Sequence, residues 1–160
     1  SGSLAEHIGK PLHVAQKFYT KYFQKYSGVA RYQEKTKRIA TSEGHTSTLI
    51  GRRRLLPDLK SSDWKKRGPA ERQAVNTKIQ GSAADLIKIA MRNIHKEFVD
   101  RGWFRKDAFM LSQVHDELIF EVRETIVVCQ VVQESMETCV KLRVPLLAEP
   151  HTGKNWEEAK

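Results

Sequence analysis

Gln113-Val114-His115-Asp116-Glu117-Leu118 lies where two short apolar runs meet, residues 109–114 and 118–122. In the second run Leu118, Phe120 and Val122 alternate with Ile119 and Glu121, the period of a strand with one buried face. The pattern predicts a β-hairpin with His115-Asp116-Glu117 at its tip. Polar triplets close many hairpins, so the triplet by itself says little. Its setting says more: the acids sit between strongly apolar strands that would hold the turn rigid. A rigid tip with adjacent carboxylates can hold a divalent ion.

Downstream, residues 124–142 read as a helix with Val128, Val131, Val132, Ser135, Met136 and Cys139 on one side, and residues 144–149 as a third strand. Upstream, Ser82-Ala83-Ala84-Asp85 has the form of a capping box with Asp in place of Glu. It opens a helix over residues 82–99 whose apolar face is Leu86, Ile87, Ala90, Met91, Ile94 and Phe98. The expected fold class is α+β: a small antiparallel sheet, built from the hairpin and the third strand, packed on two long helices.

Further upstream, Pro69 suits a first helical position, for a helix running to about residue 78. Arg72, Asn76 and Gln80 are spaced by four. Each step of four turns about 400°, a drift of only ~40°, so the three share one side if the helix persists that far. Gly81 marks a bend, and residues 60–68 read as a basic loop. Residues 46–56 predict a second hairpin, with Gly51-Arg52-Arg53 as its turn and Pro57-Asp58 closing it. Arg52, Arg53 and Arg54 repel one another there; a nearby phosphate would relieve the repulsion, and a solvated tip is the alternative. Two helices come first, residues 11–26 and 29–43, separated by Ser27-Gly28 and ended by Gly44. The first carries Ala15, Phe18, Tyr19, Tyr22, Phe23 and Tyr26 on one broad apolar face, with Lys17, Lys21 and Lys25 on another that reads as solvated, a phosphate contact being the alternative. The chain therefore divides into a helical lobe with a hairpin, residues 1–68, and an α+β segment, residues 69–160.

Composition narrows the function classes. Lys and Arg total 28 against 19 acids, a net charge of +9, which favours a polyanionic partner without choosing among DNA, RNA and a lipid surface. Hydrophobic residues at 39% argue against disorder. No run approaches the ~18 apolar residues of a membrane span, and no signal-peptide pattern opens the chain. Cys129 and Cys139 lack zinc spacing and read as buried free thiols.

In this frame Gln113-Val114-His115-Asp116-Glu117-Leu118 resembles the third palm motif of family A DNA polymerases, the bacterial polymerase I type. Ala70-Glu71-Arg72-Gln73-Ala74-Val75-Asn76 followed by Gln80-Gly81-Ser82-Ala83-Ala84-Asp85 resembles the stretch leading into a long palm helix. Gly51-Arg52-Arg53-Arg54 with Pro57-Asp58 is similar to the family's hairpin. Tyr26-Ser27-Gly28-Val29 is similar to its Tyr-Pro-Gly-Val turn, with Ser for Pro, and Val144-Pro145-Leu146 with Trp156 to its last strand and tail. Each match is modest, but they run in family order across nearly the whole chain. The wording of the residue 70–85 stretch looks closest to the eukaryotic theta and nu branch, although no palm insertion of that branch is apparent.

The resemblance implies template-directed nucleotidyl transfer in DNA replication or repair, with primer-template DNA and deoxynucleoside triphosphates as partners. It implies two Mg²⁺ ions about 4 Å apart in the complete enzyme. Asp116 would be a metal-binding carboxylate, Glu117 a supporting acid near the primer terminus, and His115 a residue orienting backbone or primer. Arg72, Asn76 and Gln80 would touch the primer-template, and Arg52, Arg53 and Arg54 would bind DNA. The residues 1–68 would be part of a fingers-like lobe and residues 69–160 a carboxy-terminal palm segment. The second metal-binding aspartate and the nucleotide-binding fingers helix are expected upstream of this region. The 160 residues alone are therefore expected to be inactive, to bind Mg²⁺ weakly or not at all, and to self-associate through uncovered apolar surface. The location implied is intracellular: nuclear for the theta and nu branch, otherwise nucleoid, cytoplasm or organelle. Two rival readings stand beside this one, a non-catalytic basic nucleic-acid-binding module and a generic helical interaction domain.

Overall fold

The computed structural model describes residues 2–159, with Gly2 and Ser3 described by backbone alone. The chain forms two compact units that divide between Lys78 and Ile79, further along than the 68/69 boundary read from the sequence. The architecture is α+β, with two separate two-stranded antiparallel sheets among the described residues.

The first unit runs through α1 (Gly2–Ile8), α2 (Leu12–Lys25), α3 (Ser27–Glu43), β1 (His45–Ser47), β2 (Arg53–Leu55), a 3₁₀ turn (Pro57–Lys60) and α4 (Trp64–Asn76). Pro11 caps α2 from outside the first turn. The break between α2 and α3 falls at Tyr26 (φ −106°, ψ 54°), and Ser27-Gly28 already belong to α3. Tyr26 N–H closes α2 on Tyr22 O while Val29 N–H opens α3 on Tyr26 O. Tyr26 thus serves both helices, and neither Tyr26 nor Gly28 takes a positive φ that would call for a residue lacking a Cβ. Gly44, at φ 75°, ends α3 in the left-handed conformation that glycine adopts without strain.

β1 pairs with β2 through His45↔Leu55, Thr46↔Arg54 and Ser47↔Arg53, so Arg53 stands in a strand and not in the turn. Thr48 closes the loop instead. Its N–H donates to Arg52 O, its hydroxyl accepts from Arg52 N–H, and its carbonyl accepts from Gly51 N–H. The unit's buried cluster is small: Ala40, Leu56, Leu59, Ala70 and Ala74. The aromatic face of α2 is present as expected and lies in solvent, with Phe18 62% exposed.

α4 begins at Trp64, which corrects the loop expected over residues 60–68. The carboxylate of Asp63 accepts from Lys65 N–H at 2.9 Å and supplies a side-chain cap that the Pro69 signal masked. Pro69 sits inside the helix. Gly81 does not interrupt the chain's helical conformation, being helical itself at φ −64°, ψ −37°. A π turn, Thr77–Gly81, is followed directly in sequence by α5 (Ser82–Asp100). Ser82 therefore starts α5 with helix already before it, and no capping box forms. Ser82 and Asp85 are buried instead.

In the second unit α5, β3 (Ala108–Val114), β4 (Glu117–Val122) and α6 (Thr125–Glu137) share one core. Ile94, Phe98, Ala108 and Val128 form its centre, with Trp103, Met110, Leu118, Phe120, Val122, Val132 and Met136 packed around them. Phe98 meets Phe120 edge-on at 5.9 Å between ring centroids. Removing a ring so buried typically costs about 3–5 kcal/mol. α6 stops at Glu137, short of the expected residue 142: Thr138 leaves helical geometry at φ −102°, ψ 3°, with its N–H and its hydroxyl both donating to the Glu134 carbonyl. Cys139 consequently lies outside the helix, and both thiols are free and half-buried rather than fully buried. Residues 144–149 form no strand, which corrects the three-stranded sheet. Pro145 has no N–H for a ladder, and the Ala148 N–H is taken by Glu137 Oε1 at 3.0 Å.

Candidate metal-binding hairpin and basic surfaces

The β3–β4 hairpin is tighter than a three-residue tip. Val114 pairs with Glu117, leaving only His115-Asp116 as the turn. Glu117 is thus the first residue of β4. His115 takes φ 56°, a left-handed value that costs a residue with a Cβ roughly 1 kcal/mol or more and is found preferentially where function fixes the backbone. The Gln113 side chain donates to His115 O at 3.0 Å and pins the turn from within. A β-bulge between Met110 and Ser112 adds Leu111 to β3, and Leu111 is 58% exposed. Bulges of this kind bend a strand and re-aim what lies beyond them. Leu118, Phe120 and Val122 anchor the other strand in the core of the unit.

The side chains of His115, Asp116 and Glu117 are exposed, and neither acid forms an ion pair among the described residues. Two oxygen donors adjacent in sequence, on a turn braced by a core, suit a hard cation. Mg²⁺ in particular is held by one or two carboxylates plus substrate phosphates rather than by a closed protein cage. The described residues contain no group of three or more His, Cys, Asp or Glu placed to hold a metal by themselves. Gln80, the remaining predicted site residue of this unit, is exposed within the π turn. The unbroken helix assumed for the Arg72, Asn76, Gln80 series therefore ends at Asn76.

In the first unit Arg72 and Asn76 are exposed on α4, on the side opposite the buried Ala70 and Ala74. Arg52, Arg53 and Arg54 are exposed on the hairpin. Arg54 is brought to the end of α4, where its guanidinium donates to Thr77 Oγ1 at 3.2 Å. The sequence reading missed Thr46, whose buried hydroxyl donates to Ala74 O at 3.2 Å. Only a Thr at an inward strand position hinted at it. It also missed the part Gln113 plays in holding the tip. No helix among the described residues is long and apolar enough to cross a membrane.

Residues 1–158 match the family model described as DNA polymerase family A. Three relatives are each named DNA polymerase I: one from Bacillus caldotenax, 43% identical, one from Streptococcus pneumoniae, 40%, and one from Pseudomonas aeruginosa, 41%. Each alignment covers 98% of this chain, and the chain spans only 17–18% of the relatives' length. A solved structure described as the POL domain of Pol1 from M. smegmatis, complexed with DNA primer-template and dNTP, has a TM-score of 0.91 at 40% identity. That similarity covers 98% of this chain and 27% of the other. These relatives are bacterial and lend no support to the theta and nu branch or to the nuclear location tied to it. With its motifs in order, a matching fold and a family match across nearly its whole length, this chain belongs to the family A DNA polymerases.

Proposed function

We propose that these residues form part of the polymerising domain of a DNA-directed DNA polymerase that acts in replication or repair. Residues 1–68 would belong to a fingers-like lobe and residues 69–160 to the palm. In the reaction the primer 3′ oxygen bonds to the α-phosphorus of a deoxynucleoside triphosphate, pyrophosphate leaves, and the hydroxyl proton passes to solvent. The observation that carries the reading is the exposed Asp116 carboxylate on a strained, core-braced turn.

Asp116 would hold Mg²⁺, with Glu117 beside it. When bound, that ion activates the attacking hydroxyl and neutralises charge on the leaving oxygens. His115 and Gln113 fix the turn so that the Asp116 oxygens need no rearrangement on binding. Arg72, Asn76 and Gln80 donate to minor-groove acceptors, which look alike in all base pairs, so any sequence is accepted. Arg52 and Arg53 neutralise phosphates. The polymerase I relatives and the primer-template complex of the structural neighbour support these partners.

The test is Asp116→Asn in the full-length protein, assayed for primer extension and duplex affinity. Extension should fall by at least about 10²-fold, since metal support of this kind is worth several kcal/mol. Duplex Kd should hold within about twofold of wild type. Undiminished extension would favour a non-catalytic nucleic-acid-binding module.

A further inference from the structure

Two hydrogen bonds tie the β1–β2 hairpin to the last turn of α4, one from each strand. From β1, Thr46 Oγ1 donates to the Ala74 carbonyl, with both residues buried. From β2, the exposed Arg54 guanidinium donates to Thr77 Oγ1. Thr46 and Arg54 are themselves cross-strand partners. The segment they grip, Ala74 to Thr77, contains Asn76, the final residue of α4, and the π turn begins at Thr77.

The grip sits where the helix needs it. A π turn is a helix carrying one residue too many, and the hydrogen-bond spacing changes where it starts. The backbone there is fixed less firmly by its own ladder. The core beneath is thin, with three alanines among its five members, so packing adds little rigidity. A carbonyl has two lone pairs, so Ala74 can accept from Thr46 without surrendering a helical bond.

We infer that Thr46 and Arg54 are positioning residues that clamp the last turn of α4 and so hold Asn76 in one direction toward the primer-template. Arg54 acts as a brace. The inference rests on the proposed DNA-facing role of α4.

The experiment measures primer-template Kd and melting temperature on the full-length polymerase. The variants are Asn76→Ala, Thr46→Val, Thr46→Ser, Thr46→Val with Asn76→Ala, Arg54→Met and Thr77→Val. Losing a hydrogen bond of this kind should weaken binding about threefold to tenfold in Thr46→Val. Thr46→Ser should restore most of it, and Thr46→Val should add nothing once Asn76 is already Ala. Arg54→Met and Thr77→Val should weaken binding alike and leave its salt slope unchanged, whereas a phosphate contact would drop out of the slope. The two exposed-bond variants carry the test if Thr46→Val folds poorly. An Asn76→Ala protein that binds normally would overturn the DNA-facing reading itself. A weakened Asn76→Ala protein, beside a Thr46→Val protein that loses only melting temperature or whose effect adds in full, would overturn the clamp alone.

Discussion

His115 and Pro69 each hold a conformation that their chemistry disfavours, for different reasons. His115 at φ 56° carries strain at a tip whose next residue is Asp116. The turn is held by the Val114–Glu117 pair and the Gln113 side chain, so strain there is consistent with a carboxylate that must point one way. Pro69 lies well inside α4 and lacks the N–H that would bond to Lys65 O, a defect worth about 3 kcal/mol in a helix interior. Against that, proline restricts the unfolded chain by roughly 0.4–1 kcal/mol. Pro69→Ala should therefore stabilise the protein by about 2–2.6 kcal/mol, read as a higher midpoint in urea unfolding. The residue reading failed here because Pro69 looks like a start signal, while the operative one is Asp63, an ordinary acid in a polar stretch.

At the scale of elements, the boundary of α6 shows what periodicity alone cannot supply. The apolar rhythm continues through Cys139, yet the backbone leaves the helix at Thr138. The segment that follows is tethered by one carboxylate. Glu137 accepts from Ala148 N–H and Gln133 Nε2, and these bonds hold its carboxyl below the usual range, the backbone bond contributing most. A carboxylate depressed in the folded state stabilises above its unfolded pKa, and that contribution disappears as pH falls through the folded value. Acidification should thus lower the protection of the Ala148 amide against hydrogen exchange, measured relative to its intrinsic rate at each pH, and Glu137→Gln should flatten that pH dependence. The hairpin tip and the α5 face were legible because alternation and helical spacing are local. The failed strand at residues 144–149 was not, since pairing depends on a partner that no local pattern reveals.

For the whole molecule, charge was the simplest property to read and one of the less specific. A net charge of +9 fits many partners, and only the ordered motifs narrowed them to one family. The charge does make a measurable demand. Primer-template binding by the full-length protein should weaken steeply as salt rises, because phosphate contacts release counterions. Arg52→Ala and Arg53→Ala should each reduce the slope of log K against log salt by about 1. Binding that ignores salt would match a generic interaction domain instead. The aromatic face of α2 was equally legible as apolar, and its exposure in the first unit could not be foreseen from its own residues.

The extra residue in β3 separates folding from activity. If Leu111 is deleted, Met110↔Phe120 is followed directly by Ser112↔Ile119, and every other pair and the two-residue turn remain available. The ladder becomes regular, so an unselected library screened for thermal survival should retain or even enrich this deletion. If Asp116 holds the metal ion as proposed, the same library, carried in the full-length protein and screened for primer extension, should lose it, because a straightened hairpin re-aims the tip.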